Sequence, residues 1–308
     1  MLEETRSTVH GRAPKNMVRI PAGRFTMGGT DFYPEERPAR KVDVGEFWMD
    51  EHPVTNAEFR RFVKATGHIT VAERVPDAAD FPGANPAMLV PGSQVFVPTE
   101  GPVPLDDWTR WWCWVPGADW RQPEGPGSTL HGRERHPVVH VGYEDALAYA
   151  QWAGKDLPTE AEWEYSARGG FDGATYPWGN EFMPRGKIMA NTWHGRFPWE
   201  NLRPHGLDRT SPVRQFPPNG YGLYDVSGNV WEWTRTEWTA SHAEFAEAVP
   251  HCCGPSHDQV TEEDRRVIKG GSHLCAPSYC HRYRPAARQG HAVRSSTGHV
   301  GFRCVLRD

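Results

Sequence analysis

The chain has 308 residues, 38% of them hydrophobic and 24% charged, and a formal net charge of -5. No Lys/Arg run marks a nucleic-acid face, no stretch approaches the roughly 18 apolar residues of a membrane span, and no apolar leader is visible. A cytoplasmic monomer with no nucleic-acid and no membrane partner is therefore expected.

Residues 1–16 are polar and read as a flexible N-terminus ahead of one domain over 17–308. Met17 to Met27 reads as a strand with a Pro-Ala-Gly turn inside it, and Lys41 to Met49 as a second strand. Thr55 and Glu58 form a capping box ahead of Phe59, Phe62 and Val63, which predicts a helix that stops near Gly67. Residues 72–135 are rich in Pro, Gly and Trp and read as long ordered loops. A second helix is predicted over about 143–153, ended by Gly154. A third begins at Thr159, with Glu162 completing its box, and stops at Gly169-Gly170. Short strands separated by turns follow, ending with Gly301–Leu306. With 31 Gly, 28 Pro and 14 Trp, the fold class is a single α+β domain of low regular secondary structure with an aromatic core.

Several segments read together: IPAGRFTMG, HPVVHVGYEDALAYAQWAGKDLPTEAEWEYSARGG, YPWGNE, PPNGYGLYDVSGNVWEWT, KGGSHLCAPSYCHRYRPAAR and GFRC. Their order closely resembles the formylglycine-generating enzyme family, the sulfatase-modifying factors, from about Met17 to Cys304. The discriminating segment is the one with two cysteines after Gly-Gly-Ser. The resemblance implies a variant C-type-lectin-like fold. It also implies an oxidase that converts the cysteine of a Cys-x-Pro-x-Arg motif to Cα-formylglycine, with Cu(I) and dioxygen. The partner it implies is an unfolded or nascent sulfatase polypeptide, and the outcome is activation of type I sulfatases.

Cys275 and Cys280 stand five positions apart, and two facing thiolates suit a soft d10 ion such as Cu(I). From spacing alone, a structural disulfide or two inert buried thiols is an equal alternative. His273, His281 and Arg282 lie close enough in sequence to favour thiolates. Ser272 matches the family's active-site serine. Cys275-Ala-Pro-Ser-Tyr279 imitates the target motif but has Tyr where Arg belongs, so the chain is not read as its own substrate.

The resemblance also implies structural Ca2+ on Asp225, Gly228, Val230 and Glu232, a set that supplies hard oxygens from one compact turn. The competing reading is an Asx turn at Asp225 with Glu232 solvated. A second family site would use Asn191, Thr192 and Leu207. Its aspartate position is His205 here, and Asp208 stands three residues on.

Cys304 is expected to be a free thiol, because Ala150 occupies its family partner's position. Cys113 reads as a packed thiol, and Cys252-Cys253 receives no role. Trp231 and Trp233 read as core, and His136 and His140 as structural histidines. Two other classes compete with this reading, a non-catalytic lectin-like binding module and a metal-free dithiol oxidoreductase. The first has no need of paired cysteines after Gly-Gly-Ser, and the second normally carries Cys-x-x-Cys.

Overall fold

A computed structural model describes residues 14–78, 83, 85–202, 208–243 and 264–307. Most of the predicted N-terminus, together with His205, Leu207 and Cys252-Cys253, lies outside the described residues. Strands β1 (Met17–Ile20) and β2 (Gly23–Met27) split at the Pro-Ala turn as the sequence suggests. The second predicted strand also splits, into β3 (Arg40–Val44) and β4 (Phe47–Asp50). The reason is pairing: β3 lies antiparallel to β2, whereas β4 lies antiparallel to β1, so the chain changes partner at Gly45-Glu46.

The three predicted helices are present as α1 (Asn56–Thr66), α2 (Tyr143–Trp152) and α3 (Glu160–Arg168). In α1 and α3 the boxes close as read. Thr55 N–H donates to Glu58 at 2.9 Å and Thr159 N–H to Glu162 at 2.7 Å. Gly67 and Gly169 take the left-handed conformation that ends each helix. The Trp-rich stretch departs from expectation. It contains an antiparallel hairpin, β5 (Gly92–Phe96) with β6 (Trp112–Pro116), as well as loops.

Strands β7 (Trp231–Glu237), β8 (Arg265–Lys269), β9 (Arg288–Ala292) and β10 (Val300–Gly301) form a sheet in the order β10-β7-β8-β9. The short β11 (Val305–Leu306) completes a second sheet, β1-β4-β11. Large aromatics fill the core as composition predicts: Trp111, Trp163, Trp231 and Trp233 are all at most 2% exposed. Among the described residues no helix is long and apolar enough to cross a membrane.

Candidate active site and metal centres

The cysteine pair sits in the connection from β8 to β9, and that connection begins with a glycine pair of necessity. Gly270 and Gly271 have φ of 93° and 68°. A Cβ on Gly271 would lie 2.8 Å from the Tyr283 nitrogen, where the loop folds back on itself. This doubling brings Cys275 Sγ and Cys280 Sγ to 3.1 Å, as free thiols. Ser272 N–H donates to Cys275 Sγ at 3.4 Å, and the Ser272 hydroxyl accepts from Leu274 N–H at 3.2 Å. Cys275 is 2% exposed and Cys280 9%, so the pair lies just beneath the surface. Tyr279, between them in sequence, is stacked on Phe197 at 4.5 Å and meets Trp111 edge-on at 5.4 Å.

The two sulfurs are electrostatically unequal. The hydrogen bond from Cys275, aided by the nearby Arg282 guanidinium, draws the Cys280 thiol down to about 7 despite its burial. Burial and the neighbouring Cys280 sulfur push Cys275 well above the ordinary thiol range. Cys280 is thus the more readily ionised of the two, and the paired sulfurs are a donor set suited to a soft monovalent cation. Of the three neighbours singled out in the sequence, only Arg282 acts on the pair. His273 Nδ1 pairs with the Asn229 carbonyl at 2.8 Å, and His281 Nε2 with Tyr176 Oη at 2.9 Å.

Buried ion pairs hold the loop from one side. Arg282 pairs with Glu35 at 2.7 Å and lies 3.7 Å over the Tyr33 ring. Arg284 takes both oxygens of Glu36, at 3.0 and 2.5 Å. Lys269 reaches Glu164 at 2.9 Å, Glu160 at 3.4 Å and the Ala286 carbonyl at 3.4 Å, tying the loop's entry to its exit. Arg288 clasps Glu160 at 2.8 and 3.0 Å. Apart from Arg282, none of these residues stands out in the sequence.

The candidate calcium turn holds the loop from the other side. Gly228 N–H donates to the Gly270 carbonyl at 2.9 Å, His273 N–H to the Asn229 carbonyl at 3.0 Å, and Ser227 Oγ to the Tyr283 carbonyl at 2.6 Å. Asn191 bridges to Gly228, and Trp193 N–H, next to Thr192, donates to the Cys275 carbonyl at 3.0 Å. Two segments that looked remote from the cysteines in sequence are therefore packed against them. Asp225 is buried, and its carboxyl is pushed up to about 6 by that burial. It accepts Arg214 N–H at 2.9 Å and forms no ion pair of its own among the described residues. A buried carboxylate in this position fits a cation site. Glu232 fits less well, and it is not solvated as the competing reading had it. Arg303 occupies both its oxygens at 2.7 Å, and Trp163 Nε1 adds a third bond at 2.7 Å. No group of three or more His, Cys, Asp and Glu side chains placed for a metal occurs among the described residues.

Cys304 is a free, fully buried thiol in the same core cluster as Ala150. Cys113, expected to be packed, is exposed. Trp231 and Trp233 are core, as read. His140 is a structural histidine, bonded to Ser93 Oγ at 2.7 Å and the Pro123 carbonyl at 2.8 Å, and His136 bonds Thr210 at 2.9 Å.

A family model for the sulfatase-modifying factor enzyme 1-like domain matches residues 4–308. The chain belongs to the sulfatase-modifying factor, or formylglycine-generating enzyme, family. It is 54% identical to the formylglycine-generating enzyme of Mycobacterium tuberculosis, over 94% of this chain and 97% of that one. Against the Bos taurus enzyme of that name it is 47% identical, over 95% of this chain and 75% of the other. A Bos taurus relative named inactive Cα-formylglycine-generating enzyme 2 is 40% identical, over 94% of this chain and 87% of its own. Among solved structures, Pseudomonas aeruginosa PvdO superposes with a TM-score of 0.62 at 27% identity, covering 95% of this chain and 94% of its own. The fold is the α+β, C-type-lectin-like one expected of the family.

Proposed function

We propose that this chain is a copper-dependent oxidase that converts the cysteine of a Cys-x-Pro-x-Arg motif in unfolded sulfatase polypeptides to Cα-formylglycine. The observation that carries the reading is the pair of free, buried thiols, Cys275 and Cys280, 3.1 Å apart. It matters because family membership alone includes relatives named inactive.

Cys275 and Cys280 would hold the copper, which when bound supplies a reduced centre where dioxygen is activated. The substrate thiol would lie beside the two protein sulfurs, which would hold its Cβ close to them. Ser272 sets the Cys275 sulfur through its backbone N–H and offers its hydroxyl to a polar oxygen species at the site. Tyr279, Phe197 and Trp111 give one flank of the loop an aromatic surface, on which Tyr279 is 37% exposed. The substrate carbon would lose two electrons and two hydrogens to dioxygen, which leaves as hydrogen peroxide, giving a thioaldehyde. Water then replaces sulfur, hydrogen sulfide leaves, and the aldehyde remains.

Calcium, in this reading, is structural and sits at Asp225 with the Gly228 and Val230 carbonyls, Glu232 being committed to Arg303. The second site, with Asn191 and Thr192, would brace the same turn. A cytoplasmic location suits the free thiols at Cys275, Cys280 and Cys304.

The test is to load the protein with Cu(I) and follow the aldehyde mass on a Cys-x-Pro-x-Arg peptide. Conversion is expected, with an Arg→Ala peptide raising KM more than it lowers kcat. Equal turnover of a peptide lacking both Pro and Arg would make the protein a general thiol oxidase instead.

A further inference from the structure

Strand β6 has a partner on one side only. Val97 N–H donates to the Trp111 carbonyl at 2.8 Å, and Gly117 N–H to the Pro91 carbonyl at 2.9 Å. Odd-numbered residues of the hairpin are therefore the hydrogen-bonded pairs, including Val95 with Cys113 and Ser93 with Val115. On β5 the even residue Gln94 points the other way, donating to the Ser296 carbonyl at 3.3 Å and accepting from Gly298 N–H at 3.1 Å. The even residues of β6, namely Trp112, Trp114 and Pro116, accordingly turn their backbone groups away from β5. Among the described residues, nothing pairs with them. The strand reads Trp-Cys-Trp-Val-Pro, with Trp114 37% exposed and no charge to guard the edge.

This edge starts at the cysteine loop. Trp111, the residue before β6, meets Tyr279 at 5.4 Å and shares an apolar cluster with Leu274 and Ala276. It then runs toward a cleft of about 390 Å³ lined by Trp114 and Gln94, in which two carboxylates, Asp77 and Glu144, stand beside two guanidinium groups, Arg74 and Arg294, with Arg74 paired to Glu144.

We infer that the free edge of β6 takes the substrate polypeptide as an added parallel strand, with the residues after the target cysteine lying alongside Trp112 to Pro116. The inference rests on the functional reading above. The motif's fixed residues recur every second position, so Cys, Pro and Arg share one face of an extended strand. Proline has no N–H, so it can join such a strand only where that atom would point away from the ladder. Setting proline opposite Trp114 meets this condition. The residue after the cysteine donates to the Trp112 carbonyl and accepts from Trp114 N–H, and the residue after proline donates to the Trp114 carbonyl. Backbone bonds then supply the affinity and alternate side chains the specificity. Proline comes to rest beside the Trp114 indole, and arginine is directed past Pro116 toward the rim of the cleft.

The experiment measures binding and turnover separately. Fluorescent peptides with Ser at the target position are titrated against the full chain, with an ester replacing the N–H at one residue at a time. Esters at the residue after the target and at the residue after proline are each expected to weaken binding roughly tenfold. An ester at the target residue, whose N–H points outward, is expected to leave binding unchanged. In the protein, Trp114→Pro removes an edge N–H that the hairpin does not use, and should weaken binding roughly tenfold relative to Trp114→Val. The ester series does not depend on how the variant folds. If all esters bind like the parent while wild type converts the Cys peptide, the edge is overturned and the enzyme reading stands. If wild type fails to convert the Cys peptide, the enzyme reading itself falls. If Trp114→Pro dissolves a dimer and leaves peptide binding intact, the edge serves a second copy and the inference is overturned.

Discussion

The cysteine loop is held between two braces of different kinds. On one side Lys269, Arg282, Arg284 and Arg288 meet Glu35, Glu36, Glu160 and Glu164, so charge is balanced within the chain. On the other side the turn from Asp225 to Asn229 holds the loop by neutral backbone bonds, and its buried Asp225 lacks a cation of its own among the described residues. The first brace is complete once the chain folds. Under the calcium proposal, the second would be completed by an added cation. The contrast separates what sets the geometry of the two sulfurs from what an added ion would tighten.

The largest effect should come from the object held rather than from either brace. Cys275→Ser or Cys280→Ser should each lower Cu(I) affinity and turnover by roughly 100-fold or more, while Cys113→Ser keeps both, as read by a competing chelator and the peptide assay. Full activity in either of the first two variants would remove the copper proposal.

Next is the charged brace. Lys269→Met removes the cation shared by the buried Glu160 and Glu164, leaving them to Arg288 and Arg168, and should cost about 1.5–3 kcal/mol in urea unfolding, with or without calcium. Acid should attack the same brace. Burial alone would raise the Glu160 carboxyl, but Lys269, His242 and Arg288 outweigh it and lower it from 4.5 to about 2. A carboxyl lowered by folding stabilises the protein fully above its ordinary value and loses that contribution as pH falls toward the folded one. Glu160 should therefore account for a loss on the order of 3 kcal/mol between about pH 4.5 and 2, a loss that a Glu160→Gln variant would not show.

The smallest effect should belong to the turn. Chelation should lower the wild-type melting temperature by roughly 3 °C and leave Asp225→Ala unmoved. A chelator-insensitive wild type would mean that the second brace works without an ion.

What was readable in the sequence follows from how far apart the cooperating residues lie. The helices announced themselves because Thr55 with Glu58, and Thr159 with Glu162, are three residues apart. The cysteine pair was legible for the same reason, being five apart, although spacing alone left a disulfide open. Arg282 with Glu35 and Arg284 with Glu36 are separated by 247 and 248 positions, and no local pattern couples them. Glu232 was assigned to calcium because its motif is local, whereas its partner Arg303 arrives from 71 residues away. The β5–β6 hairpin escaped because Trp-Trp-Cys-Trp shows no alternation of polar and apolar residues. Only pairing with Gly92–Phe96 reveals the strand.

Residues 300–306 close the molecule in three places at once. Val300 and Gly301 pair with β7, Arg303 neutralises Glu232, and Val305 and Leu306 complete the sheet on β4. On the ribosome these residues are made after 17–299, so until they emerge β4 keeps an open edge and the Glu232 carboxylate lacks Arg303. Folding of this domain is therefore gated by the appearance of its last two strands. A nascent copy passes through a stage in which it resembles its own proposed substrate, an unfinished polypeptide with a reactive cysteine still within reach.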